Sequence, residues 1–314
     1  MSQLRIVFMG TPDFAEAILK NLVDKKYTVV GVITAADKPA GRGLKLQESA
    51  VKKYAKSQNI PTLQPKNLKN EEFLKALKAL NADVQIVVAF RMLPKEVWQM
   101  PKFGTFNLHA SLLPDYRGAA PIHWAIINGE TKTGVTTFFI DDTIDTGEII
   151  LKNEVAIGDD EIVGTLHDKL MISGAQLVAQ TVDCIEKGTV KTTKQPNSEQ
   201  KEAPKLSPEN TKIDWDESLE KVYNKIRGLN PFPAAWTTIQ TNGEEISAKI
   251  YAVKKEEKSH SLLSGKILST KKEFKVAVKN GFIHILEIKL AGKRLMDTKS
   301  LLNGFSFSKD SKML

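Results

Sequence analysis

Asn107, His109 and Asp145 are the residues whose types and spacing could do chemistry together. Asn107 and His109 lie two apart in the run Phe106-Asn107-Leu108-His109. On an extended backbone their side chains leave the same face. Asp145 lies in the polar cluster Asp141-Asp142-Thr143-Ile144-Asp145-Thr146-Gly147, which follows a second apolar run, Gly134 to Ile140. An amide, an imidazole and a carboxylate at strand ends are the parts of an acyl-transfer site that works without a protein nucleophile. Each residue also has a plainer reading: a turn-forming Asn, a core His, an ordinary Asp-Thr-Gly loop.

The elements that must position these groups follow from the apolar pattern. Leu4 to Met9, Tyr27 to Thr34 and Val84 to Ala89 are continuous apolar runs, as expected of buried parallel strands. Gly10-Thr11-Pro12-Asp13 reads as a turn, with Thr11 or Asp13 capping a helix over Phe14 to Leu22. Gln47 to Gln58, Glu71 to Leu80, Ala119 to Asn128 and Glu161 to Lys187 read as further helices. This β-α-β opening is Rossmann-like, but only Gly10 stands where a dinucleotide site needs G-x-G-x-x-G. Ligands of open α/β sheets bind beyond the carboxyl ends of strands. Four such ends are expected to converge: Gly10, Phe90 to Leu93, Leu108 to Ser111, and Asp141 to Asp145. Ala35 to Lys45 is a loop longer than a β-α connection needs, with two glycines, a proline and four charges. Residues 189–206 are polar and unpatterned, an inter-domain linker. Beyond them short strands alternate with Asn242-Gly243 and Asn280-Gly281 turns, the pattern of a small antiparallel barrel in which Trp236, Tyr251, Phe274 and Phe282 are core.

Composition narrows the class. A length of 314 residues favours two domains. No apolar run reaches membrane-spanning length, and the chain enters its first strand with no signal-peptide pattern. Cys184 is the only cysteine, which excludes an internal disulfide and fits a reducing, cytoplasmic setting. The five histidines show no HxxxH or CxxC-type spacing, so no metal is expected. The net charge of +8 is unevenly spread. Residues 1–206 carry 26 Lys+Arg against 24 Asp+Glu, a balance of +2, and residues 207–314 carry 19 against 13, a balance of +6. Such an excess suits nucleic-acid phosphates or simply a solvated lysine surface.

Asn107-Leu108-His109, Ser111-Leu112-Leu113-Pro114, Gly118 and Asp145-Thr146-Gly147, in this order, resemble the folate-dependent formyltransferases. The opening Ile6 to Ala15 and the loop Lys38-Pro39-Ala40-Gly41-Arg42-Gly43 are similar to the branch of that family acting on aminoacyl-tRNA. The resemblance implies an α/β fold: a Rossmann-like, mostly parallel formyltransferase domain over 1–188, the linker 189–206, and a smaller β-rich, OB-like barrel over 207–314 that binds tRNA. It implies 10-formyltetrahydrofolate as co-substrate, initiator methionyl-tRNA as acceptor, no metal, and no obligate protein partner. Asn107, His109 and Asp145 become catalytic. Asn107 and a charged His109 donate to the oxyanion, while Asp145 favours the charged imidazole and accepts the amine proton through water. Phe90, Arg91, Met92 and Leu93 line the pterin pocket through backbone groups, Arg91 being otherwise a surface arginine. Ser111, Leu112, Leu113 and Pro114 contact folate, and Asp141 joins them, although Asp141 and Asp142 also read as loop-shaping. Lys38, Arg42 and Lys45 reach the tRNA. Two rival readings are a formyltransferase for a small amine, such as a purine precursor or amino sugar nucleotide, and a non-catalytic RNA-binding protein on the same scaffold. The glycine-flanked Arg42 and the basic C-terminal part stand against the first, the Asn/His/Asp set against the second.

Overall fold

The computed structural model describes residues 3–40, 45–196 and 200–314. The chain forms two compact units. The first holds residues 1–118, 134–155 and 167–202, and the second holds 119–133, 156–166 and 203–314. The units thus interleave along the chain.

The first unit is built on a seven-stranded sheet. Its strands are β1 (Arg5–Gly10), β2 (Thr28–Ile33), β3 (Thr62–Leu63), β4 (Val84–Val88), β5 (Thr105–His109), β6 (Lys132–Phe139) and β7 (Ile149–Ala156), in the order β7-β6-β5-β4-β1-β2-β3. β1 runs parallel to β2 and β4, β2 to β3 and β4 to β5, whereas β6 runs antiparallel to β5. Ile6, Val7, Phe8 and Met9 are fully buried, as an apolar run covered on both faces requires. Val7, Met9, Ile33 and Val87 pack with Phe73 and Leu77 of helix α3 (Glu71–Ala79). Each such side chain contributes about 1.5–3 kcal/mol of burial.

Helix α1 (Asp13–Asp24) buries Phe14, Ile18, Leu19 and Leu22. Its N-cap is Pro12, with no side-chain cap bond, so neither Thr11 nor Asp13 caps it as the sequence suggested. Asp13 instead sits in the first turn, where the helix dipole favours a carboxylate. Helix α2 (Ala50–Ser57) is capped by Ser49 and α3 by Asn70. The long helix α4 (Val163–Glu186) packs on β5 at Gly174, where an added Cβ would meet Leu108 at 2.8 Å. Leu108 faces α4, which leaves Asn107 and His109 on the other face of the strand.

The segment expected as an open loop, Ala35 to Lys45, has regular arms. Lys38–Ala40 pairs antiparallel with Lys45–Gln47. The hairpin root is held by Lys52, whose ammonium lies 2.5 Å from Asp37 and 3.2 Å from Glu48.

The second unit carries two antiparallel sheets. Its strands are β8 (Ala235–Thr241), β9 (Glu244–Ile250), β10 (Val253–Glu257), β11 (Ile267–Ser269), β12 (Phe274–Val278), β13 (Gly281–Ile285), β14 (Glu287–Leu290), β15 (Met296–Asp297) and β16 (Lys312–Met313). One sheet has the order β15-β14-β9-β8-β16 and the other β10-β13-β12-β11. The runs Ile246 to Lys254 and Phe282 to Leu290 read as single strands, but each breaks at a corner. The Ala252 carbonyl accepts from the N–H groups of Leu286 and Glu287, and beyond it the same two chain segments pair in the other sheet. Strands that switch sheets in this way close a small β-fold around one core. Helix α5 (Leu219–Arg227), capped by Ser218, adds Leu219, Val222, Tyr223 and Ile226 to that core. Phe274 and Phe282 are buried. Trp236 and Tyr251 are only half-buried, and the Trp236 indole N–H donates to the Pro208 carbonyl at 2.7 Å.

Candidate active site

β5 delivers two of the three candidate groups. Asn107 pairs with Val87 on the parallel side and Phe138 on the antiparallel side, and His109 pairs with Thr136. Asn107 is half-buried; its carboxamide has no hydrogen-bond partner among the described residues. His109 is buried, and its Nε2 lies 2.8 Å from the Tyr116 carbonyl. A carbonyl only accepts, so Nε2 carries the proton there. That leaves Nδ1 as the ring atom turned towards Asp145, whose Oδ2 is 3.8 Å away. This gap exceeds a hydrogen bond.

Asp145 arrives differently from the expected fourth converging strand end. β1, β4 and β5 are parallel neighbours, so Gly10, Val88 and His109 end at one edge of the sheet. β6 is antiparallel, with Phe139 beside Phe106 and the Ile140 N–H donating to Thr105, so it ends at the opposite edge. The loop from Asp141 to Gly147 must fold back to bring its carboxylate to His109. Several contacts hold this return. Thr146 Oγ1 and the Thr143 N–H donate to the Asp141 carboxylate. Gly147 lies so close to the Phe139 carbonyl that an added Cβ would fall 1.6 Å from its oxygen, which excludes every other residue type. Asp145 itself has φ 55°, a left-handed conformation that costs an L-residue roughly 1–2 kcal/mol and that aspartate tolerates better than most. The Gly118 N–H donates to Asp145 Oδ2 at 3.1 Å. Asp141 is exposed and spent on the loop.

The turn after β5 is tightly cross-linked. Ser111 is fully buried; its hydroxyl donates to the Asp115 carbonyl at 2.6 Å and its carbonyl accepts from Thr136 Oγ1 at 2.7 Å. Leu113 is fully buried, Leu112 and Pro114 half-buried, and Leu113-Pro114 is a cis peptide bond. Lys152 donates to the Leu113 carbonyl, and burial pushes the Lys152 ammonium below the usual lysine range. What this turn presents outward is therefore backbone and the flanks of Leu112 and Pro114. After β4, Phe90 is half-buried, Leu93 is buried, and Met92 is 67% exposed. Arg91 donates to the Lys66 and Pro65 carbonyls, a structural use of its side chain. Lys38 is exposed on the outgoing arm of the hairpin. Lys45 begins the returning arm, its side chain outside the described residues, as is the whole of Arg42. Among the described residues no cluster of His, Cys, Asp or Glu could hold a metal, and no helix is long and apolar enough to cross a membrane.

Two partners of the site were not foreseen. Tyr116, whose carbonyl fixes the His109 ring, carries no motif signal. Gln195 lies in a stretch that reads as linker, yet its amide donates to the Asp145 and Gly147 carbonyls.

The mostly parallel sheet thus carries an amide and an imidazole at its carboxyl edge, with a returning aspartate loop beside them. The chain belongs to the formyl transferase family, matching its model "Formyl transferase" over residues 4–182 and "Formyl transferase, C-terminal domain" over residues 205–306. It is 59% identical to the methionyl-tRNA formyltransferase of Flavobacterium johnsoniae over 100% of both chains. It is 53% identical to that of Bacteroides thetaiotaomicron, covering 99% of this chain and 98% of the relative. Among solved structures, HypX from Aquifex aeolicus in complex with tetrahydrofolic acid shares the fold at a TM-score of 0.65 and 17% identity. That match covers 96% of this chain, which spans 47% of the HypX chain.

Proposed function

We propose that this protein transfers the formyl group of 10-formyltetrahydrofolate to the α-amino group of initiator methionyl-tRNA, in the cytoplasm. The observation that carries this reading is the 59% identity, over the full length of both chains, to the methionyl-tRNA formyltransferase of F. johnsoniae.

The acceptor is itself the nucleophile. An α-amine titrates near ~7.7–8.0, so at neutral pH a usable fraction is free base and no Ser or Cys intermediate is needed. The folate supplies the formyl carbon as an activated amide. The protein's task is then to orient the groups, stabilise charge and move a proton. The Asn107 carboxamide, which has no hydrogen-bond partner among the described residues, donates to the formyl oxygen. His109, with Nε2 committed to Tyr116, works through Nδ1. Asp145 Oδ2, held by the Gly118 N–H and facing that nitrogen, accepts the proton leaving the amine, through water. The rim from Phe90 to Leu93 and from Ser111 to Pro114 suits a flat, amide-bearing pterin. The Ser111 hydroxyl is turned inward and the Arg91 side chain is spent on the Lys66 and Pro65 carbonyls, so the rim offers backbone groups and the apolar flank of Met92. Lys38, Arg42 and Lys45, with residues 207–314 and their +6 balance, make the tRNA contacts.

Oxyanion donors are typically worth ~2.7–4 kcal/mol each, and groups that orient or move the proton contribute ~10²–10⁴-fold. Asn107→Ala, His109→Ala and Asp145→Ala should therefore each lower kcat for formylation of methionyl-tRNA by ~10²-fold or more, while the triple variant loses far less than the product of the three. Steady-state rates at saturating folate decide this. Three independent, multiplicative losses would break the claim that the groups act as one constellation.

A further inference from the structure

Gln195 lies between Lys194 and Pro196 in a polar stretch with no chemical motif, but its two side-chain atoms are both engaged at the site. Nε2 donates to the Asp145 carbonyl at 2.9 Å and to the Gly147 carbonyl at 2.8 Å. Oε1 accepts from Arg117 Nη2 at 2.5 Å and from Arg117 Nε at 3.2 Å. Arg117 immediately precedes Gly118, whose N–H holds the Asp145 carboxylate. Gln195 therefore fastens the aspartate loop from its backbone side and, through Arg117, the neighbour of the donor that holds its carboxylate.

The conformation it grips needs such support. Asp145 is left-handed, and a non-glycine residue stays there only where its surroundings over-determine it. Gly147 already fixes the loop's exit against Phe139, and Gln195 ties the Gly147 carbonyl to that of Asp145. The segment carrying Gln195 is docked independently, because Thr193 and Ile149 exchange two backbone hydrogen bonds at 2.9 Å. Losing the Gln195 side chain therefore removes the clamp without detaching the segment.

We infer that Gln195 is a positioning residue for the formyl-transfer reaction, acting through Asp145: it holds that residue in the left-handed turn that aims its carboxylate at His109. The inference rests on the reaction proposed above. Sub-ångström to ångström misplacement of a reacting group costs up to about 10²-fold in rate. Gln195→Ala in the full-length enzyme should thus lower kcat for methionyl-tRNA formylation by about 10- to 100-fold. KM for folate and for tRNA should stay within about twofold if the clamp acts only through Asp145. Gln195→Glu keeps the size and the acceptor for Arg117 but turns a carboxylate on two carbonyls, so it should lose at least as much. It carries the same test if the alanine variant fails to fold.

The decisive readout is a double-mutant cycle. If Gln195 works through Asp145, then adding Gln195→Ala to Asp145→Ala should cost less than about twofold further. An equal loss in both backgrounds, or a Gln195→Ala enzyme at the wild-type rate, overturns the inference. A crystal structure of Gln195→Ala reads the geometry without any assay. Asp145 should leave the left-handed region, and an unmoved Asp145 overturns the inference as well. A wild-type protein inert towards methionyl-tRNA refutes the proposed reaction instead, and the crystal structure still decides whether Gln195 holds the turn.

Discussion

Ser111 shows how much of a site can be carried by a hydroxyl turned into the fold. Its hydroxyl, buried and donating to the Asp115 carbonyl, closes the turn whose next residue, Tyr116, presents its carbonyl to His109 Nε2. Ser111→Ala leaves the half-buried Asp115 carbonyl without its donor, at a cost of about 1 kcal/mol. Denaturant unfolding should report that loss, and kcat should fall with it as the His109 ring loses its fixed partner. Unchanged stability would mean the turn is held by its other contacts, to Thr136 and Lys152. In the sequence, Ser111 stands out as part of a motif, and the natural reading is a folate contact. Its fully buried hydroxyl gives it a second use that spacing cannot reveal. Asn107 and His109 were legible because strand alternation is a local rule. Tyr116 and Gln195 were not, because what they offer is a backbone carbonyl and an amide, groups with no signature, and the Gln195 amide meets a loop fifty residues away.

At the scale of elements, the parallel strands could be read directly from their apolar runs, and the helices from their period. The sequence is less informative where an element is short, polar or bent. The paired segments Lys38–Ala40 and Lys45–Gln47 are lysine-bearing triplets, and Asp37 and Glu48 beside them pair with Lys52. The β9–β10 and β13–β14 corners are invisible to an alternation that passes through them unchanged. β6 also reads as one more converging strand, and only its antiparallel pairing shows that Asp145 must return by a loop. In the four-stranded sheet, Glu256 accepts from Lys275 at 2.9 Å and His284 at 2.7 Å. First the Lys275 bond and then the His284 bond hold its carboxyl at about 2, against the usual 4.5. A carboxyl depressed in the folded state stabilises the fold above its unfolded value, and that contribution is lost as pH falls through the folded value. Wild type should therefore exceed Glu256→Gln in melting temperature above pH 4.5, and the difference should shrink towards zero as pH approaches 2. A constant offset across that range would assign the effect to packing.

At the scale of the whole molecule, the two units are not two halves of the chain. Residues 119–133 and 156–166 belong with 203–314. Within that second unit, Arg227 donates to the Glu161 carbonyl, Tyr223 to Asp160, and the Trp124 indole to the Pro204 carbonyl. Truncation after residue 205 would strip these segments of their core, so it cannot separate tRNA binding from folding. The central claim, formyl transfer from a folate to an amine presented on tRNA, is better tested on the intact chain. Initial rates should be measured with 10-formyltetrahydrofolate and, in parallel, methionyl-tRNA, free methionine and an amino sugar nucleotide. Formylation of methionyl-tRNA is expected at kcat/KM orders of magnitude above either free amine, weakening steeply as salt rises, as phosphate contacts require. Equal or greater activity on a free amine, or no salt dependence with methionyl-tRNA, would contradict it.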